Sequence, residues 1–383
     1  MAARKVILFL HNKTRISGGE QSLLSLFDNL DRTRFIPYLI VPSYGPFAVE
    51  AKKRGVFVSC LPVPKLRFLN AFALINAFIK LCMYCKHLEI SVIHSYTPRN
   101  NILSVITGKI LGIPVIWHER NIPVNGEKDI SRRYSFLPKS IICNSNAVAE
   151  RFRTKKGNPA KVSVITNGVD TNSFFPGNPP KELKEKLSPQ SNPVVGLVSN
   201  LGKRKMPEYF LDAAGQILKT LPNLLFLIVG GEFSEEDKGR QKELEDKVKE
   251  SGINEQVFFT GFVPNVVDYI RLFDIGTAVT EKEACSRAIL EMMACGKPIV
   301  GFNTGGNPEL IENGVSGKLV EFGNIPALAE AIIGLLNDDA KRKAMGVKAR
   351  LRTERFFDVR VNAQKTQEIY ANLLKHKNHE NRY

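Results

Sequence analysis

The sequence predicts an α/β fold made of two doubly wound parallel sheets. Three observations lead there. Short apolar runs alternate with helix-spaced stretches along most of the chain, a proline- and charge-rich break divides that alternation in two, and 383 residues exceed the roughly 250–300 at which a single core stops growing. A content of 43% hydrophobic and 24% charged residues is that of a soluble globular protein and argues against extensive disorder.

The opening run KVILFLHN (residues 5–12) leads into ISGGEQSLLSLFDNL (16–30), where apolar residues fall at Leu23, Leu24, Phe27 and Leu30. The spacing predicts a strand, a glycine turn and a helix. PYLIVP (37–42), ISVIH (90–94), IPVIWH (113–118) and SIICNS (140–145) continue the strands, each separated from the next by a helix-like stretch. Strand and helix in alternation predict a parallel sheet covered on both faces.

The break PGNPPKELKEKLSPQSNP (176–193) is poor in large apolar residues and reads as a linker. It sets an N-terminal Rossmann-like domain at 1–176, a linker at 177–192 and a C-terminal Rossmann-like domain at 193–355. The second series of strands is PVVGLVSN, LLFLIVGG, QVFFTGFV, IGTAVT, KPIVGF and GKLVEF. A terminal helix at 356–375 is expected to pack back on the N-terminal domain, and 376–383 form a flexible tail. Ligands of such sheets bind beyond the carboxyl ends of the strands, so the site is expected in a cleft between two facing domains.

The formal charge of +16 is one-sided: the first 180 residues hold 25 Lys/Arg against 10 Asp/Glu, and the remainder 29 against 28. Such a field gathers anionic partners at one domain, whether nucleic acid, lipid headgroups or a phosphate-bearing substrate. Residues 65–88, KLRFLNAFALINAFIKLCMYCKHL, place Arg67, Lys80 and Lys86 among apolar side chains, too short and interrupted a run to span a bilayer but suited to its surface. With the clusters KKR (52–54) and RFRTKK (151–156), they make an anionic membrane surface an expected partner, against an ordinary core helix as the plainer reading. Nucleic acid is not expected, because no aromatic-basic recognition module accompanies the charge. With six scattered cysteines and no secretory leader read at the start, a reducing cytoplasm is the expected location, and the basic, apolar surface adds the expectation of a peripheral position at the inner face of a membrane. Cys82 and Cys85 spell CxxC without the further ligands a zinc site needs and read as helix residues.

The segment EACSRAILE (283–291) follows an apolar strand. Ser286 can cap a helix running through Arg287 to Cys295, with Gly296 and Pro298 as its stop. Glu283 then lies in the loop ahead, backbone amides from Ala284 to about Ile289 face a phosphate or diphosphate, and Glu291 stands a turn and a half inside. A bare pair of glutamates at this spacing is more often a loop charge and an exposed helix residue, so the context decides. That context is SGGE (17–20) between the first strand and helix, VSNLGKRKMPE (198–208), VITNGVDTNSFFP (164–176) and NTGGNPELIENGVSGKLV (303–320).

In this order the motifs resemble the retaining, nucleotide-sugar-dependent glycosyltransferases of family four, group 1, which have the GT-B architecture of two facing Rossmann-like domains; the resemblance covers nearly the whole chain. It implies a donor-sugar contact for Glu283, a ribose contact for Glu291, and an active-site histidine at His118, making His118 and Glu283 the catalytic candidates. It further implies a glycine loop at Gly18 and Gly19, a diphosphate-holding Lys205, a base contact at Phe262 and Val263, and donor contacts along Ala284, Cys285, Ser286, Ile289 and Leu290. Asn200 stands where the family usually places arginine, so Lys203 or Arg204 is expected to complete the clamp, and Ala284, Cys285 and Ser286 replace the customary small glycines. His94 is expected to be structural.

The implied reaction is metal-independent transfer with retention, needing no cofactor, from a nucleoside diphosphate sugar to a glycan or lipid-linked acceptor, with UDP favoured over GDP. No protein nucleophile is required, and no D-x-D motif is present. A non-catalytic nucleotide-sugar-binding or scaffolding subunit of the same fold is the alternative that Asn200 raises. A sugar-nucleotide epimerase fits the motif combination less well.

Overall fold

The computed structural model describes residues 3–64, 70–123, 129–153, 159–188, 190 and 192–380, with side chains through residue 375. The chain forms two compact units, one of Met1–Gly168 with Val359–Tyr383 and one of Val169–Asp358.

In the first unit seven strands, β1 (Lys5–Leu10), β2 (Phe35–Val41), β3 (Phe57–Cys60), β4 (Ile90–Ser95), β5 (Val115–Glu119), β6 (Ser140–Cys143) and β7 (Val162–Val164), lie in the order β3-β2-β1-β4-β5-β6-β7. Every neighbour is parallel. The order reverses between β1 and β4, and that switch point opens a crevice at their carboxyl ends.

Side-chain alternation divides the core into two layers. Ile7 and Phe9 of β1 face Leu23 and Phe27 of helix α1 (Gly18–Asp28), Phe47 of α2 (Pro46–Lys53) and Tyr370 of the C-terminal helix Val359–Glu380. Leu8 and Leu10 face the opposite layer, with Leu81 and Cys85 of α3 (Ala71–His87) and Leu103 of α4 (Pro98–Leu111). Strands buried on both faces carry apolar residues at successive positions, which explains why β1, β2, β4, β5 and β6 were legible as runs. The edge strands β3 and β7 were not anticipated. They have four and three residues and none is fully buried, so no apolar run marks them.

The second unit repeats the plan with β8 (Val194–Val198), β9 (Leu225–Val229), β10 (Val257–Phe259), β11 (Ile275–Ala278), β12 (Ile299–Phe302) and β13 (Gly317–Val320) in the order β10-β9-β8-β11-β12-β13, again all parallel. Here the switch point lies between β8 and β11.

The expected linker at 177–192 differs from the structure. Lys181–Leu187 is a helix, and its Leu183 and Leu187 pack against the core of the second unit. The charges of KELKEKL hid a two-leucine stripe, a sufficient apolar face for a helix lying on a surface. The chain leaves the first unit after Gly168 and returns to it at Val359. A Cβ on Gly168 would stand 2.6 Å from the Val359 Cα, so only glycine lets the returning chain pass.

The basic clusters also differ from expectation. Arg54 bonds Asp28 at 3.0 Å and Glu50 at 2.7 Å, Lys53 bonds Glu50 at 2.7 Å, and Lys52 lies over the Tyr44 ring. KKR is therefore largely neutralised, on a helix of the layer opposite α3. In RFRTKK, Arg151 pairs with Glu119 and Asp129 and Phe152 is buried; residues 154–156, like Arg67 in 65–69, lie outside the described residues. All six cysteines are free thiols, and burial pushes Cys85 up to about 12.

Candidate active site

Two groups of residues gather at carboxyl ends of strands, one in each unit. In the second unit, β8 runs into the turn Ser199–Gly202 and a single 3-10 turn at Lys203–Lys205. Met206 takes a left-handed φ of 53° as this turn passes into the helix Pro207–Leu218. The Lys205 Nζ reaches across the switch point to the Glu283 Oε2 in the loop after β11, and the Thr280 hydroxyl donates to the Lys205 carbonyl at 3.4 Å. Both charged side chains remain about a quarter to a third exposed, at 30% and 24%.

The position of Glu283 is fixed from the far side by the glycine pair of NTGGNPE. The Gly306 amide donates to the Glu283 carbonyl at 2.8 Å. A Cβ on Gly306 would stand 1.9 Å from the Ala284 carbonyl oxygen, and one on Gly305, whose φ is +57°, would stand 2.4 Å from the Glu283 carbonyl oxygen. Backbone packed on backbone at these distances excludes any side chain. The sequence marked the motif; its physical use, to brace the carboxylate loop, required the fold.

The helix Arg287–Ala294 begins as expected at Ser286, whose hydroxyl accepts the Ile289 amide at 3.4 Å. Ile289 and Leu290 turn their side chains into the core, and the Leu290 amide donates to the Ser286 carbonyl. Ala284 and Cys285 are buried as well. Glu291 is largely buried and accepts from the Arg287 guanidinium at 3.0 Å; burial raises its carboxyl above the ordinary range, against the opposing charge and hydrogen bond of Arg287.

Asn200 shapes its turn by accepting the Gly202 amide at 3.2 Å through its side-chain oxygen, an Asx turn that arginine cannot make. Lys203 and Arg204 stand exposed beside it. At the ends of β9 and β10, Phe262 is 62% exposed and meets Phe233 edge-on at 6.4 Å, while Val263 packs toward the core.

In the first unit, Ser17 caps α1, and Gly18 and Gly19 are its first residues. Glu20 is buried, and its carboxylate accepts the Ser17 amide at 2.9 Å and the His11 Nε2 at 3.2 Å. Burial lowers His11 to about 4 despite the Glu20 charge, so it is a neutral imidazole that donates through Nε2 and accepts the Lys13 amide through Nδ1. Burial by itself would raise Glu20, but the Ser17 hydroxyl, the neighbouring His11 and the Lys13 charge outweigh it and leave the carboxyl lowered.

His118 is the penultimate residue of β5 and is buried. Its ring stacks on His94 at 5.3 Å and leans on Tyr96 at 4.5 Å. Among the described residues neither of its ring nitrogens has a hydrogen-bond partner. It lines a cavity with Tyr96, Arg120, Asn167 and Asn362. Burial, then the Arg120 charge and then His94, hold it well below the usual histidine range. A neutral imidazole with unmet hydrogen-bonding capacity suits a hydroxyl-rich, uncharged ligand group. His94 is structural, as expected: fully buried, lowered to about 3 by burial and Arg120, with Nδ1 2.7 Å from the Tyr370 hydroxyl.

Arg120 was missed. Its guanidinium donates to the Asn167 side chain at 2.7 Å, joining the end of β5 to the NGVD motif. The available signal was period two, since His118 and Arg120 are two apart at the same strand end.

Comparisons with known proteins agree with this geometry. Residues 179–352 match the family model described as glycosyl transferases group 1, and residues 16–173 match glycosyltransferase family 4. The chain is 24% identical over 380 residues, covering 94% of it and 95% of the relative, to the UDP-Gal:alpha-D-GlcNAc-diphosphoundecaprenol alpha-1,3-galactosyltransferase of Escherichia coli. It is 25% identical over 248 residues, 64% of this chain and 70% of the relative, to the lipopolysaccharide core biosynthesis mannosyltransferase LpsB of Rhizobium meliloti. Among solved structures, Anabaena Alr3699/HepE in complex with UDP-glucose superposes with a TM-score of 0.82 at 25% identity, over 96% of this chain and 99% of that one.

Proposed function

The chain belongs to the family 4, group 1 glycosyltransferases, and from that premise we propose that it moves a hexose from a UDP-sugar to a lipid-linked or glycan acceptor, with retention and without a metal or cofactor. The observation that carries the reading is the contact of Lys205 with Glu283 across the β8/β11 switch point. An arriving donor offers phosphate oxygens to the ammonium and sugar hydroxyls to the carboxylate, so each group exchanges one charge-assisted contact for another.

As the bond from sugar to diphosphate breaks, negative charge grows on the departing oxygens. Lys205, helped by Lys203 and Arg204, stabilises it where a divalent ion would otherwise serve. Glu283 holds the sugar, Glu291 takes the ribose, and the departing phosphate accepts the proton of the acceptor hydroxyl, which attacks from the same face. His118, neutral and unpartnered, meets the sugar or the acceptor. The preference for UDP is supported by the Escherichia coli relative and the Anabaena complex, both of which carry uridine nucleotides in their names. The lipid-linked acceptor is supported by the name of the same Escherichia coli relative, which specifies a diphosphoundecaprenol-linked sugar.

A panel of UDP-, GDP- and ADP-sugars tests the donor. The matching UDP-sugar should stabilise the protein by about 2.7 kcal/mol at a hundredfold excess over its Kd, and NMR of the product should show the donor's anomeric configuration. Lys205→Ala and Glu283→Ala should each lower kcat by about 10²–10³, with little change in Tm because their contact is partly exposed. Turnover with a GDP-sugar alone, or full activity in Glu283→Ala, contradicts the reading.

A further inference from the structure

The outer surface of the α3/α4 layer carries an apolar stripe that none of the described residues covers. Phe72 is 90% exposed, Ile75 55%, Ile79 50% and Met83 64%. Their spacing of three, four and four places them along one side of α3, while Ala77, Leu81 and Cys85 on the other side enter the core. The neighbouring α4, packed against α3 in the same layer, adds Ile106 at 46% and Ile110 at 63%. Six large apolar side chains on two adjacent helices form a patch of the kind soluble surfaces avoid.

The polar surroundings of this patch have one sign. Lys80, Lys86, His87 and Lys109 are exposed on the same two helices. Residues 70–118, which run from α3 to β5, hold four Lys/Arg, and Glu89 is their one acidic residue. A second copy of the chain would bring the same positive rim against itself, and a protein partner of ordinary surface would meet it with both signs. A sheet of anionic headgroups over hydrocarbon matches both features at once: the lysines meet phosphates while Phe72, Ile79 and Met83 enter the acyl boundary. Insertion stays superficial, since no helix among the described residues is long and apolar enough to cross a membrane.

We propose that the α3/α4 surface, through Phe72, Ile75, Ile79, Met83, Ile106 and Ile110 ringed by Lys80, Lys86 and Lys109, docks on an anionic lipid bilayer. The surface does not depend on donor identity; it would bring the first unit to a bilayer where a lipid-borne acceptor resides.

Flotation of the full chain with vesicles of phosphatidylcholine alone, or of phosphatidylcholine mixed with phosphatidylglycerol, tests this at low and high salt. Binding is expected on the anionic vesicles, weakened by salt. It should fall about tenfold in Lys80→Glu/Lys86→Glu and in Ile79→Glu/Met83→Glu. These side chains are exposed, so Tm and the Tm rise with a UDP-sugar should stay at the parent values in both variants. No flotation on anionic vesicles overturns the proposal, as does undiminished flotation of Ile79→Glu/Met83→Glu. A parent that is dimeric by light scattering, made monomeric by the same substitutions and indifferent to vesicles, assigns the surface to a second copy and likewise overturns it.

Discussion

At the scale of single residues, the site depends on atoms that are absent as much as on those present. Gly306 leaves no space for a methyl group beside the Ala284 carbonyl, at 1.9 Å, and it donates to Glu283. Gly306→Ala must therefore push the Glu283 loop aside. We expect a loss of about 1–3 kcal/mol in stability together with a fall in turnover, whereas Gly334→Ala, with open space at its Cβ, should cost neither. Denaturation midpoints and initial rates of the two variants check this; equal behaviour would remove the bracing role. Asn200 is a second case, where a residue that looks like a defect in a cationic clamp instead shapes the turn that presents Lys203 and Lys205.

At the scale of elements, the C-terminal helix Val359–Glu380 completes the first unit from the far end of the sequence. Ala363 and Tyr370 are buried in the same layer as Phe9 and Phe27, Asn362 donates to the Thr166 carbonyl, and Gln367 accepts the Asp31 amide at 2.7 Å. Tyr370 lies edge-on to Phe35 and bonds His94, the residue on which His118 stacks. Tyr370→Phe keeps the ring and removes the hydroxyl, leaving His94 without this bond. A cost of about 1–3 kcal/mol is expected. If the helix positions His118 through His94, the loss of kcat in Tyr370→Phe should exceed any change in KM; a purely structural tyrosine would lower Tm and leave kcat intact.

At the scale of the whole molecule, buried neutral histidines make stability depend on pH. Burial lowers His11 to about 4 and His94 to about 3, and His118 shifts in the same direction. In the unfolded chain each takes a proton near its ordinary value of 6.5, while the folded chain keeps them neutral. The stability they contribute is therefore complete above about pH 6.5 and is lost as pH falls toward 4. For His11 and His94 the loss between pH 7 and pH 5 is about 2 kcal/mol each. Urea midpoints should be lower at pH 5 than at pH 7, and His94→Asn should flatten that slope. Equal midpoints at the two pH values would mean that these groups titrate normally in the fold.

The sequence by itself determined the class of fold and the identity of the chemistry-bearing motifs. Eleven of the strand runs and the helix start at Ser286 were legible because a strand buried on both faces must be continuously apolar and a helix start needs a capping hydroxyl. Both are local requirements, written in adjacent residues. Tertiary structure alone decided the rest: the helix hidden in the expected linker, the neutralisation of KKR, the bracing of Glu283 by Gly306, and the placing of Arg120 and Tyr370 around the His94–His118 stack. These depend on contacts between residues tens to hundreds apart, and no local pattern encodes which distant partner will fill a gap, cancel a charge or stop a backbone from moving.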